Sequence, residues 1–305
     1  MEFRQASFAF AASALLASGG CVAAGPENAG QTAIPALAPA APYAEACADW
    51  DEWDKPGPPF HVHANTYYVG TCGISAILIA GDEGHVLIDT GSDVGADAVL
   101  ANVAQLGFAP GDIRVLLISH EHHDHAGGVA RTAERTRARV MANDIAAQVL
   151  KAGNVGKDDP QYGIHPAMSP VATVETVAPG QPVTLGNIEL TMVPTPGHTL
   201  GAASWQWRAC DGDDCRTIVY ADSLSPVSRD DYRFTDHPDL VATFRQSIDA
   251  VRALDCDILL TPHPSASGMR QRIVEGTLVD SGACRAYAEK LERTLDARLA
   301  KEAGQ

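Results

Sequence analysis

The chain has 305 residues, room for one large domain or two small ones. Its 38 acidic and 22 basic residues give a formal net charge of -16, which argues against a nucleic-acid partner, since phosphate binding needs a positive footprint. An anionic membrane surface is disfavoured for the same reason, and beyond solubility the acidity carries no mechanism.

At the start, Phe3 to Leu16 is apolar with Arg4 ahead of its main run, and Val22-Ala23-Ala24 is a small-residue cleavage site. Residues 1–24 therefore read as a secretory signal for export to the periplasm, with an apolar stretch too short to span a bilayer. The small residues Ser18-Gly19-Gly20 before Cys21 also resemble a bacterial lipoprotein signal, which leaves a lipid anchor at Cys21 open. Residues 25–46 are rich in Ala and Pro without periodicity, and the expectation is an exposed leader with no core of its own. The folded domain is then residues 47–305.

From Phe60 the sequence predicts strands over Phe60 to Val69, Ile74 to Ala80 and His85 to Thr90, joined by glycine-bearing hairpin connections. The last of them ends in Ile88-Asp89-Thr90-Gly91. Apolar spacing predicts a helix over Val94 to Leu106, and Ile113 to Ile118 reads as a buried strand. A helix over Val129 to Thr136, a strand over Arg139 to Ala142 and a helix over Asp144 to Lys151 follow. Residues Ala152 to Ser169 have little periodicity and read as a long loop, a feature that in compact domains tends to be functional. Strands near Thr173 to Val177, Ile188 to Val193, Ala203 to Arg208 and Thr217 to Ala221 lead to a helix over Asp239 to Leu254. A strand ending at His263 and a last helix, Ser281 to Ala300, complete the chain. Hairpins and then alternating strand and helix, twice over, predict an α/β domain with internal pseudo-symmetry: two packed sheets with helices outside.

The chemistry concentrates after Ile118. His120-Glu121-His122-His123-Asp124-His125 packs four histidines into six residues at a strand end. His120 and His122 can point at one metal while Asp124 and His125 turn to a second. Two further histidines complete the sets, His198 in Pro196-Gly197-His198 and His263 in Pro262-His263-Pro264, each after an apolar run that Pro or Gly stops. Nitrogen donors with one carboxylate suit zinc, and three protein ligands per ion leave room for water. His61-Val62-His63 has the same His-x-His spacing but no Asp-His after it, and reads as structural.

Without Cys21, six cysteines remain, an even number that in an exported chain favours disulfides. Sequence alone allows fifteen connectivities. Proximity pairs Cys210 with Cys215, and the pairing adopted for the rest is Cys47 with Cys72 and Cys256 with Cys284.

With His120-x-His122-x-Asp124-His125, His198 and His263 in place, residues 47–300 resemble the metallo-β-lactamase superfamily. The resemblance implies its four-layer αβ/βα sandwich, with the metals at the edge between the sheets, and places Asp89 behind the ligands, orienting their loop. β-Lactamases of the first two subclasses use a cysteine ligand where this chain reads Tyr220-Ala221-Asp222-Ser223-Leu224-Ser225. That segment and Pro196-Gly197-His198-Thr199 look like subclass B3, as does the three-disulfide arrangement. The resemblance then gives His120, His122 and His198 to the first zinc and Asp124, His125 and His263 to the second. Ser223 and Ser225 become donors to the substrate carboxylate; Tyr232, the nearest tyrosine beyond them, is left unassigned.

The implied activity is hydrolysis of penicillins, cephalosporins and carbapenems by a metal-bound hydroxide that Asp124 steers, in a monomer that confers antibiotic resistance. Two rivals remain. One is a glyoxalase II-like thioester or lactone hydrolase of the same fold, in which Asp222 would bridge both metals. The other is a non-catalytic secreted zinc-binding module, whose expected mark, a lost ligand, is absent.

Overall fold

In a computed structural model, which describes residues 1–2 and 38–304, two sheets pack face to face between helices. Cys21, nearly all of the signal segment and the leader up to residue 37 lie outside the described residues. The first sheet runs in chain order through β1 (Phe60–His63), β2 (Thr66–Tyr68), β3 (Ile77–Ile79), β4 (His85–Ile88), β5 (Ile113–Leu117), β6 (Arg139–Ala142) and β7 (Glu175–Thr176). It is antiparallel from β1 to β4 and parallel from β4 to β7. The second has β8 (Pro182–Leu185), β9 (Ile188–Pro194), β10 (Ala203–Asp211), β11 (Asp214–Tyr220) and β12 (Ile258–Leu260) in the order β12-β11-β10-β9-β8. Only its β11–β12 pair is parallel.

The apolar runs of β3 to β5 lack polar alternation because both faces of the sheet are covered. Ile77, Ile79, Val86, Ile88, Val115 and Leu117 face the second sheet, where Leu190, Met192, Trp205, Ile218, Tyr220 and Leu260 meet them. Their neighbours Leu78, Leu87 and Leu116 point the other way. There they meet α2 (Gly95–Gln105), α4 (Val129–Thr136) and α5 (Asp144–Ala152). Val219 and Leu259 likewise turn from the sheet interface to α6 (Pro238–Ala253) and α8 (Ala283–Ala303). Burying one such Leu, Ile or Val contributes roughly 1.5–3 kcal/mol. Of two short helices, α3 (His123–Ala126) carries Asp124 and His125, and α7 (Met269–Glu275) follows the loop that bears His263.

Three local expectations change. The predicted strand Phe60 to Val69 breaks at Ala64, whose φ of 49° folds it into the β1–β2 hairpin. The end of the leader is not a bare tether, because Ala41–Ala46 forms α1. Its Tyr43 is buried against Phe60 and Tyr68 and donates its hydroxyl to the Cys72 carbonyl at 3.1 Å. One aromatic supplies a burial that the Ala/Pro composition conceals. Finally, β8 and α7 form where the sequence showed no periodic signal.

Cys47–Cys72, Cys210–Cys215 and Cys256–Cys284 are bonded. The third ties the start of α8 to the turn before β12, across a sequence separation of 28 residues. Closing a loop of that size restricts the unfolded chain by about 3–4 kcal/mol. A Cys256→Ala/Cys284→Ala double variant is therefore expected to lose about that much stability in denaturant unfolding, and a change below about 1 kcal/mol would refute the entropic account.

Hydrogen bonds also stitch the two sheets together where the ligand loops begin. The Ser119 carbonyl accepts from Ala203 N at 2.7 Å, and the Ile118 carbonyl from the Trp205 indole at 2.9 Å. On the other side, Ser75 donates its N–H to the Pro262 carbonyl and its hydroxyl to the Thr261 carbonyl, fixing the strand end before His263.

Candidate metal centre

The loop after β5 is held from behind by Asp89, at the end of β4. Its carboxylate accepts the Ser119 N–H, the Ser119 hydroxyl and the Tyr220 hydroxyl, each at 2.7 Å, and lies 3.5 Å from His125 Nδ1. One buried side chain thus joins the ends of β4, β5 and β11. After the histidines the chain must pass close beneath α2. A Cβ on Gly128 would meet Ala96 Cβ at 2.5 Å and the Ser92 carbonyl at 2.9 Å, so the position requires glycine.

Within this frame the six predicted donors gather as two triples. His122 Nδ1 and His198 Nε2 face each other at 3.2 Å, and the donor atoms of His120, His122 and His198 lie within 4.8 Å of one another. Among the described residues His120 Nε2 has no hydrogen-bond partner, though it is buried. In the second triple, Asp124 Oδ2, His125 Nε2 and His263 Nε2 are separated by 3.1, 3.3 and 3.4 Å. Tetrahedral zinc, with bonds of about 2.0–2.1 Å, sets neighbouring donors about 3.3–3.4 Å apart. These separations and the orphaned imidazole nitrogen fit one zinc ion per triple. His120 also shares a 4.8 Å cluster with Asp124 and His125, so the two positions adjoin.

The rings are aimed through their other nitrogens. His120 Nδ1 bonds Asp222 Oδ1 at 2.9 Å, His198 Nδ1 the Ser225 carbonyl at 2.8 Å, and His122 Nε2 the Asp159 carboxylate at 3.2 Å. Burial pushes His120 and His198 well below the ordinary histidine range and His263 down to about 4, which keeps them neutral as ligands must be. Burial also opposes protonation of His125, but the Asp124 carboxylate, helped by Asp89, overrides it and raises His125 to about 10. Asp124 correspondingly stays ionised despite its burial, through His125 first and then His263. It sits where a neighbouring positive charge is favoured.

The donors open into a cavity of about 380 Å³ whose walls include Trp50, Trp53, Gln161, His165, Ser223 and Ser225. Ser223 Oγ has no hydrogen-bond partner among the described residues, and Ser225 Oγ lies 3.3 Å from His198 Nδ1. Tyr232 is not on this wall: it is buried in the cluster of α6 and α8, its ring stacked on His237 at 4.4 Å. His61 and His63 are spent on backbone carbonyls, those of Ala64 and Asp214.

Asp222, the residue on which the bridging alternative turned, is fully buried behind His120 rather than on the cavity wall. Three residues escaped sequence reasoning. Glu121, inside the motif, is buried and accepts from the Thr199 hydroxyl at 2.8 Å and Gly201 N at 2.9 Å, locking the His198 loop to the histidine loop. Asp159 and Gln161 come from the long loop, whose length was the one available signal.

A family model described as the metallo-beta-lactamase superfamily matches residues 69–263. Among solved structures, the chain is similar to the MIM-2 metallo-beta-lactamase, with 53% identity, a TM-score of 0.83, and 88% of this chain and 100% of that one covered. It is similar to MIM-1 from Novosphingobium pentaromativorans at 48% identity and TM-score 0.82, over 86% of this chain and 98% of that one. The subclass B3 enzyme BJP-1 of Bradyrhizobium japonicum aligns at 30% identity and TM-score 0.75, over 83% and 98%. A curated hydroxyacylglutathione hydrolase of Acidiphilium cryptum is 28% identical over 214 residues, 68% of this chain and 75% of that protein.

Proposed function

The chain belongs to the metallo-β-lactamase superfamily, and from that premise we propose that it is a subclass B3 zinc-dependent hydrolase that opens the β-lactam ring of penicillins, cephalosporins and carbapenems. The observation that carries this reading over a thioester hydrolase is the commitment of Asp222 to His120 Nδ1 at 2.9 Å, which removes it as a bridge between metals. The serine pair on the cavity wall supports it.

His120, His122 and His198 would hold one zinc ion, and Asp124, His125 and His263 the other. Bound there, zinc supplies Lewis acidity, lowering the pKa of water from about 15.7 toward 7 and polarising the lactam carbonyl. Asp124 would orient the attacking water through its carboxylate, with the lactam bound in the cavity beside it. Ser223 Oγ, orphaned inside the cavity, and Ser225 Oγ donate to the substrate carboxylate. Action in the periplasm, and with it antibiotic resistance, belongs to the same proposal. Three disulfides among the described residues suit an oxidising compartment.

Steady-state kcat/KM for imipenem, a penicillin, a cephalosporin and S-lactoylglutathione tests the substrate class. Turnover of the lactams with negligible thioester hydrolysis is expected, and a higher kcat/KM on S-lactoylglutathione would replace this reading with its rival. Stripping zinc with a chelator should abolish lactam hydrolysis, and two equivalents of zinc per chain should restore it. A metal-free sample of undiminished activity would overturn the metal assignment.

A further inference from the structure

Of the three carboxylates behind the ligand rings, Asp89 follows directly on β4 and Asp222 is separated from the end of β11 by Ala221 alone, whereas Asp159 comes from the irregular segment after α5. Its side chain is buried and lies 3.2 and 3.3 Å from His122 Nε2 through its two oxygens. Oδ1 also accepts the Gln161 N–H at 2.7 Å, which fixes the carboxylate in a local turn. The loop is tied down in turn by Arg229, which donates Nη1 to the Asp159 carbonyl at 3.1 Å and its backbone N–H to the Pro160 carbonyl at 2.9 Å. Gln161 then carries its amide Nε2 to 3.4 Å from His122 Nδ1 and 3.3 Å from His198 Nε2, while His165 meets Gln161 Oε1 at 3.2 Å.

We infer that Asp159 is a positioning residue: it holds the proton of His122 on Nε2, leaves Nδ1 free as a donor, and so couples the first metal position to the 152–169 loop. A histidine that ligates through Nδ1 must carry its proton on Nε2, and a carboxylate there both fixes the ring and raises its basicity. Because one side chain belongs to both the loop and the ligand's support, the coupling is reciprocal: whatever strengthens metal binding at the first position orders the loop, and the converse. The inference rests on the two-zinc reading of the site but not on the identity of the substrate.

The test uses the full mature protein with Asp159→Ala and Asp159→Asn variants, zinc as the probe, and three readouts. Stepwise zinc dissociation constants come from chelator competition, imidazole N–H resonances from NMR of the zinc-loaded protein, and hydrogen exchange from peptides covering residues 152–169 with and without zinc. In Asp159→Ala, one of the two zinc constants should weaken about 10- to 100-fold and the other stay parental. The slowly exchanging N–H resonance of His122 should vanish while that of His120 persists, and zinc should no longer slow exchange in the loop. Asp159→Asn, which keeps an acceptor oxygen, should retain the resonance and part of the affinity. Parental constants with an intact resonance in Asp159→Ala would overturn the inference, as would equal weakening of both constants, the mark of a general folding defect. A parental protein that binds fewer than two zinc ions would instead sink the two-zinc reading itself.

Discussion

Asp124→Asn is expected to lower kcat/KM on a carbapenem by about a hundredfold, equivalent to roughly 2.7 kcal/mol of transition-state stabilisation. The substitution preserves size and one coordinating oxygen but removes the negative charge that lies 3.1 Å from His125 Nε2 and 3.4 Å from His263 Nε2. Without that charge the second metal position loses its only anionic donor, and the attacking water loses its acceptor. Zinc content should fall toward one ion per chain. His61→Ala is the internal control, because the His61 ring is occupied with the Ala64 carbonyl at 2.8 Å in β1 and touches none of the six donors. Near-parental activity in Asp124→Asn together with zinc loss in His61→Ala would mean that the metal centre had been placed on the wrong motif.

Asp89→Ala should produce the largest loss of stability. It orphans the Ser119 N–H, the Ser119 hydroxyl and the Tyr220 hydroxyl, three buried donors that now share one carboxylate. Each buried donor left unsatisfied costs roughly 1–3 kcal/mol. Asp89 also has a φ of 62°, a left-handed conformation that Asp and Asn tolerate better than Ala. A combined destabilisation of about 3–5 kcal/mol is expected in urea unfolding. Asp89→Asn keeps the backbone preference and one acceptor, so it should fold. It withdraws the negative charge that lies 3.5 Å from His125 Nδ1, and zinc affinity at the second position should fall about 10- to 100-fold. An Asp89→Ala variant within about 1 kcal/mol of the parent would show that the three donors find other partners.

The sequence by itself singled out the six candidate metal ligands and placed them at strand ends. His120, His122, Asp124, His125, His198 and His263 each follow an apolar run that has to be a strand, and strands packed in one sheet or in two facing sheets present their ends along a common edge. The continuous apolar character of β3, β4 and β5 was legible for the same reason, since strands buried on both faces need no polar alternation. Weak elements were not legible. β8 opens on a proline and buries little beyond Val183, and α7 buries only Met269, so neither leaves a periodic trace.

Only the tertiary structure decided how the donors are aimed. Spacing cannot say which nitrogen of an imidazole faces a metal, because that is fixed by a hydrogen bond to the opposite nitrogen. Those partners lie far away in sequence: Asp222 is 102 residues from His120, and Asp159 is 37 from His122. The allegiance of Asp222 had the same origin. A carboxylate next to a metal motif can bridge ions or hold a ligand from behind, and its residue type is identical in both roles. Buried polar groups must find partners, and it is the packing of the second sheet against the first that brings Asp222 to the back of His120.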